Sequence, residues 1–194
     1  MIELALIRHG PTEWNEQRRI QGLTDIPLSA NGRAVVKSWK LPVEFHGFRL
    51  IAGPLVRAME TARILIGEPQ PEPRLTEMNW GEWEGLSSNE LNRRFPRAVK
   101  ESERLGLNFR RPGGESPRDV QIRLAPWLAS LNEPTVAVSH QGVINAVYAL
   151  AVGWDMIGKP PLRLIDGAAH LFVVNDEGTP HIRRLNIPLK EAAP

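Results

Sequence analysis

Residues 3–32 read ELALIRHGPTEWNEQRRIQGLTDIPLSANG. The apolar run Leu4–Ile7 has the composition of a buried strand and stops abruptly at Arg8-His9-Gly10. A fixed cation, an imidazole and a permissive glycine therefore fall at a strand's carboxyl end, where open α/β sheets bind ligands. An Arg-His pair in that place points to an anionic ligand and to nucleophilic or acid–base chemistry. The following stretch, Gly10–Pro27, reads as a long polar loop, and loops of that length inside compact domains are usually functional. The arrangement recurs far along the chain: Thr135–Ser139 has the pattern of a strand buried on both faces and is followed by His140-Gln141-Gly142.

Working outward, Ile2–Ile7 is the first strand, and Ser29 caps a helix through Arg33 to Lys40. Phe48–Gly53 is a second strand. Leu55–Ile66 has helical spacing, with Pro54 near its first turn and Gly67 as its stop. Pro69–Pro73 reads as a turn-rich connection, Leu75–Gly85 as irregular, and Ser88–Phe95 as a short helix. Arg97–Gly114 is a polar, basic insertion of no assigned structure. Ser116-Pro117 opens another helix, Gln141–Val152 is the helix after the second buried strand, and Leu171–Val174 with His181–Leu185 forms a hairpin around Asn175–Gly178. Strands alternating with helices predict an α/β, three-layer αβα sandwich with a mostly parallel sheet and an antiparallel edge. The expectation is a single domain over 1–194, with an insertion at about 86–114 placed to cover the site.

Composition narrows the class. A net charge of only +2 supplies no nucleic-acid footprint, and the absence of cysteine excludes disulfides, thiolate catalysis and Cys-ligated zinc. The longest apolar stretch, Val143–Trp154, contains Asn145 and falls short of the ~20 residues needed to span a bilayer. No targeting segment is visible, because Arg8 interrupts the opening apolar run. These features fit a cytoplasmic protein without nucleic acid or membrane as partner, and they leave the oligomeric state open.

Taken singly, the polar residues have ordinary explanations. A lone His9 or His140 is more often structural than catalytic, and Arg57 near a helix start is more often solvated. Glu77, Glu82 and Glu84 are candidate general acids, and Trp80 and Trp83 are placed to desolvate a nearby carboxyl. Together they fall into a pattern. Arg8-His9-Gly10 with Thr12, Trp14, Asn15, Gly22, Pro27-Leu28-Ser29 and Gly32 strongly resembles the histidine phosphatase superfamily, also called phosphoglycerate mutase-like. The resemblance continues through Pro54-Leu55-x-Arg57-Ala58-x-x-Thr61-Ala62, Leu75-x-Glu77-x-x-x-Gly81-x-Trp83-Glu84-Gly85, Pro112–Ser116 and Ser139–Val143, and so covers the chain in order.

The resemblance implies roles. His9 would be the nucleophile that becomes a phosphohistidine. Arg8, Arg57 and His140 would line the phosphate pocket, with Asn15, Gln21, Gly22 and Gln141 completing it. Glu77 would be the proton donor, and Glu82 and Glu84 would be structural. His140, at a helix start, would add a cationic donor beside amides that favour anions. No metal and no cofactor are implied. Departures are small: Pro11, Gly53 and Gln141 stand where the family often has Glu, Ser and Gly. The His-Gln-Gly variant also occurs among α-ribazole phosphatases, which makes α-ribazole 5′-phosphate a candidate substrate. The alternatives are a phosphoglycerate mutase, disfavoured by Glu77-Met78-Asn79-Trp80 where mutases tend to carry Glu-Arg-His-Tyr, and a non-catalytic pseudophosphatase, disfavoured by the intact matched positions. Among Arg93, Arg94, Arg97, Lys100, Arg104, Arg110 and Arg111, most are expected to be solvated, with one or two facing the pocket.

Overall fold

Leu4 through Ile7 are fully buried because their strand, β1 (Ile2–Arg8), runs through the middle of a sheet. The other strands are β2 (Arg49–Ala52), β3 (Gln70–Pro71), β4 (Thr135–Ser139), β5 (Ala168–Val174) and β6 (Pro180–Pro188), in the spatial order β3-β2-β4-β1-β5-β6. The computed structural model describes residues 1–189 of the 194. β1, β4, β2 and β3 pair in parallel, while β5 runs antiparallel to β1 and to β6. Alternation along β1 sorts its side chains between two cores. Ala5 and Ile7 pack with Val36, Ala58 and Ala62 of helices α2 (Ala30–Lys37) and α3 (Val56–Leu65). Leu4 and Leu6 pack on the other face with Leu124, Val143 and Val147 of α6 (Pro117–Ala129) and α7 (Gln141–Val152). The fold is an αβα sandwich on a mostly parallel sheet with an antiparallel edge, as the alternation predicts.

Local chemistry sets the helix starts. The Ser29 hydroxyl accepts from the Gly32 amide at 2.8 Å, and Ser116 forms a capping box with Asp119 in front of Pro117. Such caps contribute about 1 kcal/mol each. Register sets the site. Arg8 lies opposite Ser139, and the His9 amide continues the ladder by donating to the Ser139 carbonyl at 2.9 Å. On the other side of β4, the Gly53 amide donates to Val138 O at 2.9 Å. The ends of β1, β4 and β2 thus emerge side by side and deliver His9, His140 and the Arg57 helix to one place.

Several segments differ from the sequence reading. Gly10–Pro27 is not all loop: Thr12 and Asn15 form a capping box around the short helix α1 (Glu13–Glu16). The helix after Ser29 ends at Lys37 rather than Lys40. Pro69–Pro73 contains β3, where Pro71 is tolerated because the strand is at the sheet edge. Arg97–Gly114 holds α5 (Pro96–Leu105) and a 3-10 turn at Gly106–Asn108. With α4 (Ser88–Arg94) it packs Leu91, Phe95, Val99, Leu105 and Phe109 on Trp83 as a third, smaller cluster. β6 runs past Leu185 to Pro188, through an irregular register in which Asn186 adopts φ +56°. Its carboxamide accepts from Ile165 N and donates to Arg163 O, each at 3.0 Å, and so holds the loop that carries Asp166. Among the described residues no helix is long and apolar enough to cross a membrane.

Candidate active site

His9 and His140 meet at a ring-centroid distance of 5.2 Å. His9 Nδ1 lies 2.7 Å from the carbonyl oxygen of Gly10, a contact that requires Nδ1 to carry the proton. In a neutral ring the lone pair is then on Nε2. Burial, followed by the charges of Arg8 and Arg57, holds the His9 pKa well below the ordinary imidazole value. His9 therefore stands as an oriented imidazole that is neutral at neutral pH. His140 is completely buried, and neither ring nitrogen has a partner among the described residues. Burial, His9 and the nearby arginines push it well below its ordinary value too. Burial thus works against the cationic donor expected at this position.

Arg57 is fully buried. Its Nη2 donates to Gly22 O at 2.7 Å and its Nη1 to Thr24 O at 3.0 Å, while Nε has no partner among the described residues. Burial lowers its pKa, opposed by Glu77, Asp25 and Glu84. A buried cation held only by carbonyls is costly unless an anion completes its shell. Thr61, one turn on, donates to Arg57 O and accepts from Gly10 N, tying this helix to the His9 loop. Arg8 donates from Nη1 to Asp166 at 2.7 Å, and its Nε, buried and without a partner among the described residues, leaves one edge of the fork for an anion. Asn15 and Gln21 receive Thr12 hydrogen bonds on their amide oxygens, which leaves their amide nitrogens as donors.

Glu77 lies across the same cavity of about 320 Å³, whose walls include Arg8, His9, Asn15, Gln21, Gly22, Arg57, Gln141 and Gly142. Its carboxylate accepts from Met78 N at 2.8 Å and from Gly142 N at 3.1 Å. The Gly142 amide, one of those free at the start of α7, is therefore occupied by Glu77. A side chain at 142 would meet this carboxylate, since a Cβ there would lie 2.4 Å from Glu77 Oε1. Burial raises the Glu77 pKa, although both amides and Arg57 oppose the shift. A carboxyl whose pKa is raised beside an imidazole whose pKa is lowered is the arrangement in which one group can serve as acid and the other as base or nucleophile. Gln141 donates to Asn145 at 2.8 Å, and both line the cavity. A second cavity of about 470 Å³ shares Arg8, His9 and Asn15, but Arg57 and Glu77 do not line it.

The other two glutamates separate cleanly. Glu82 is exposed and does not line the cavity. Glu84 accepts from the amides of Leu23 and Thr24 at 2.8 and 3.0 Å and from the Thr24 hydroxyl at 2.6 Å. It fixes the turn whose carbonyls hold Arg57. Gly22 has φ +56° there, and a Cβ would fall 1.9 Å from Glu84 Oε1. Glu84→Gln is expected to place an amide against those donors and to destabilise the fold by about 1–3 kcal/mol. Urea denaturation measures that loss, and a raised KM accompanies it because Arg57 loses its support. A brace not foreseen from sequence flanks Glu77. Arg123 donates to the carbonyls of Arg74 and Thr76, and Glu115 pairs with Arg123 at 3.2 Å while accepting from Asn79 N at 2.8 Å. Of the seven basic residues noted between 93 and 111, Arg111 alone lines the cavity.

Comparison with known proteins agrees with this geometry. The sequence pattern of the histidine phosphatase superfamily (branch 1) matches residues 4–188. Phosphoserine phosphatase 1 of Hydrogenobacter thermophilus is 31% identical over 201 residues, covering 96% of this chain and 93% of that protein. The structure of TTHB049 from Thermus thermophilus superposes with a TM-score of 0.74 at 31% identity, over 96% of this chain and 99% of that one. An Escherichia coli structure with a suggested α-ribazole-5′-P phosphatase activity has a TM-score of 0.79 at 24% identity over 99% of each chain, a likeness of fold. Phosphoglycerate mutases stand among the relatives beside phosphatases. The match over nearly the whole chain, with two histidines delivered by adjacent strand ends, places this protein in the histidine phosphatase superfamily.

Proposed function

We propose that the protein hydrolyses a small phosphomonoester through a phosphohistidine on His9. The observation that carries this reading is a neutral His9, oriented by Gly10, sharing one cavity with Arg8, Arg57 and a carboxyl whose pKa is raised. In the first step His9 Nε2 attacks phosphorus, the P–O ester bond breaks, and Glu77 gives its proton to the departing alkoxide. In the second, the Glu77 carboxylate takes a proton from water. The water oxygen attacks phosphorus, and the P–N bond breaks to return its electron pair to His9. Arg8 and Arg57 stabilise the transferring group, and a dianion bound there would favour protonation of His140, which then donates to it. The segment at about 86–114 covers part of the site, a role supported by Arg111 on the cavity wall. The intact His9, Arg57, Glu77 constellation favours an enzyme over a pseudophosphatase.

Among the described residues no group of three or more His, Cys, Asp or Glu is placed to hold a metal. Activity is expected to survive EDTA, and vanadate to inhibit by forming a trigonal-bipyramidal adduct on His9. Loss of activity in EDTA that returns with magnesium or zinc would overturn the proposed chemistry. The substrate reading is tested with p-nitrophenyl phosphate and a panel containing phosphoglycerates and α-ribazole 5′-phosphate. Release of inorganic phosphate supports a phosphatase, and isomerisation of phosphoglycerate without release supports the mutase alternative. The proposed setting is the cytoplasm, with a small phosphorylated metabolite as the only partner required.

A further inference from the structure

Four arginines line the catalytic cavity. Three have evident assignments. Arg8 is paired with Asp166, Arg19 with Glu90, and Arg57 is lodged on the Gly22 and Thr24 carbonyls beside His9. Arg111 is different. Among the described residues no carboxylate comes within ion-pair distance of it. Its Nη1 donates to the carbonyl of nearby Phe109 at 3.2 Å, and its Nε is shut off without a partner. The guanidinium lies 4.3 Å from the Trp80 ring centroid and 5.7 Å from those of Trp83 and Phe109.

An arginine that serves only to hold the fold looks otherwise in this protein. Arg123 uses both Nη atoms on carbonyls and Nε on Glu115. Arg111 instead rests its plane on aromatic rings, which fixes the fork and strips it of water while its in-plane donors stay largely unengaged. Burial pushes it down only to about 10, so it remains charged at neutral pH. Among the described wall residues Glu77 is the sole carboxyl. As the proton donor Glu77 is neutral before transfer and cannot balance Arg111 as well.

We propose that Arg111 reads a second anionic group on the leaving-group side of the substrate, so that the preferred substrates are phosphomonoesters whose alcohol portion carries a carboxylate or another phosphate. The proposal rests on the phosphatase reading and adds the substrate class to it. Arg8 and Arg57 hold the phosphoryl group, and Arg111 holds the far end. In a desolvated cavity a forked charge pair is much stronger than in water, and a neutral alcohol would leave Arg111 without its counter-charge.

The test uses three substrates on one three-carbon skeleton: glycerol 1-phosphate, 3-phosphoglycerate and glycerol 1,3-bisphosphate. Phosphate release by the wild-type protein is expected to favour an anionic member over glycerol 1-phosphate by about tenfold or more in kcat/KM. The favoured member tells carboxylate from phosphate. Arg111→Gln is expected to bring that ratio close to one, mainly through KM, and Arg111→Lys to keep part of it. Equal use of all three by the wild-type protein, or a ratio unchanged in Arg111→Gln, would overturn the assignment of Arg111 and leave the phosphatase standing. Failure to hydrolyse any of them, p-nitrophenyl phosphate included, would overturn the phosphatase reading and this inference with it.

Discussion

His9→Ala is expected to reduce phosphate release by about 10⁴-fold or more, the scale seen when a covalent nucleophile is removed. No other side chain in the site can take its place. His140 is the nearest imidazole, but it is completely buried, and among the described residues no hydrogen bond orients its ring. The His9 ring makes one hydrogen bond, to its neighbour's carbonyl, so the variant should keep the fold and unfold cooperatively in urea. Steady-state phosphate release on the folded variant is the measurement. Activity within tenfold of wild type would show that the nucleophile lies elsewhere.

Glu77→Gln is expected to lose about 10²–10⁴-fold on alkyl phosphates, the usual contribution of a general acid. The loss on p-nitrophenyl phosphate should be much smaller, because that leaving group departs without a proton. Glu82→Gln, on an exposed side chain, should behave like wild type with both substrates. If the dependence on leaving group appears in Glu82→Gln instead, the assignment of the acid is wrong while the phosphohistidine can stand. The pH profile carries the same signature. In the proposed mechanism, turnover of alkyl phosphates requires neutral His9 and protonated Glu77. Activity should therefore fall as pH rises through the raised Glu77 pKa, and fall on the acid side only at pH values well below the ordinary histidine range. Glu77→Gln should lack the alkaline limb.

Stability has its own pH sign. His9 and His140 stay neutral in the fold but bind protons near pH 6.5 once unfolded. The unfolded state thus takes up more protons as pH drops, and stability is lost from about pH 6.5 downward. Inorganic phosphate should offset part of that loss, because an anion between the arginines favours the protonated histidines.

β1 and β4 are legible in the sequence because each carries a run of buried residues and is followed at once by a histidine. Their meeting is not. It follows from the parallel register of Arg8 with Ser139, set by the hydrophobic faces of strands distant in the chain. The helices that begin with Ser29 and Ser116 are legible from their caps. α1 is less so, since Asn15 closes its capping box where Glu or Gln is the familiar signal. α5 hides behind its charges, for none of its residues is fully buried. Arg57 is readable as a motif residue, but its acceptors are the backbone carbonyls of Gly22 and Thr24, which leave no mark on side-chain identity. Glu77 and Glu84 look alike as loop glutamates, and only the amides they accept from tell the buried acid from the turn-holding carboxylate. Arg111 is one of many basic residues in its segment, and packing on Trp80 singles it out.

Rapid-quench trapping of the wild-type protein during turnover, followed by mapping of the labelled peptide, tests the central claim most directly. The account predicts one phosphate per chain, labile in acid and stable in base, on His9 and absent from His9→Ala. Label on any other residue, or steady turnover by a protein that never carries phosphate, would contradict it.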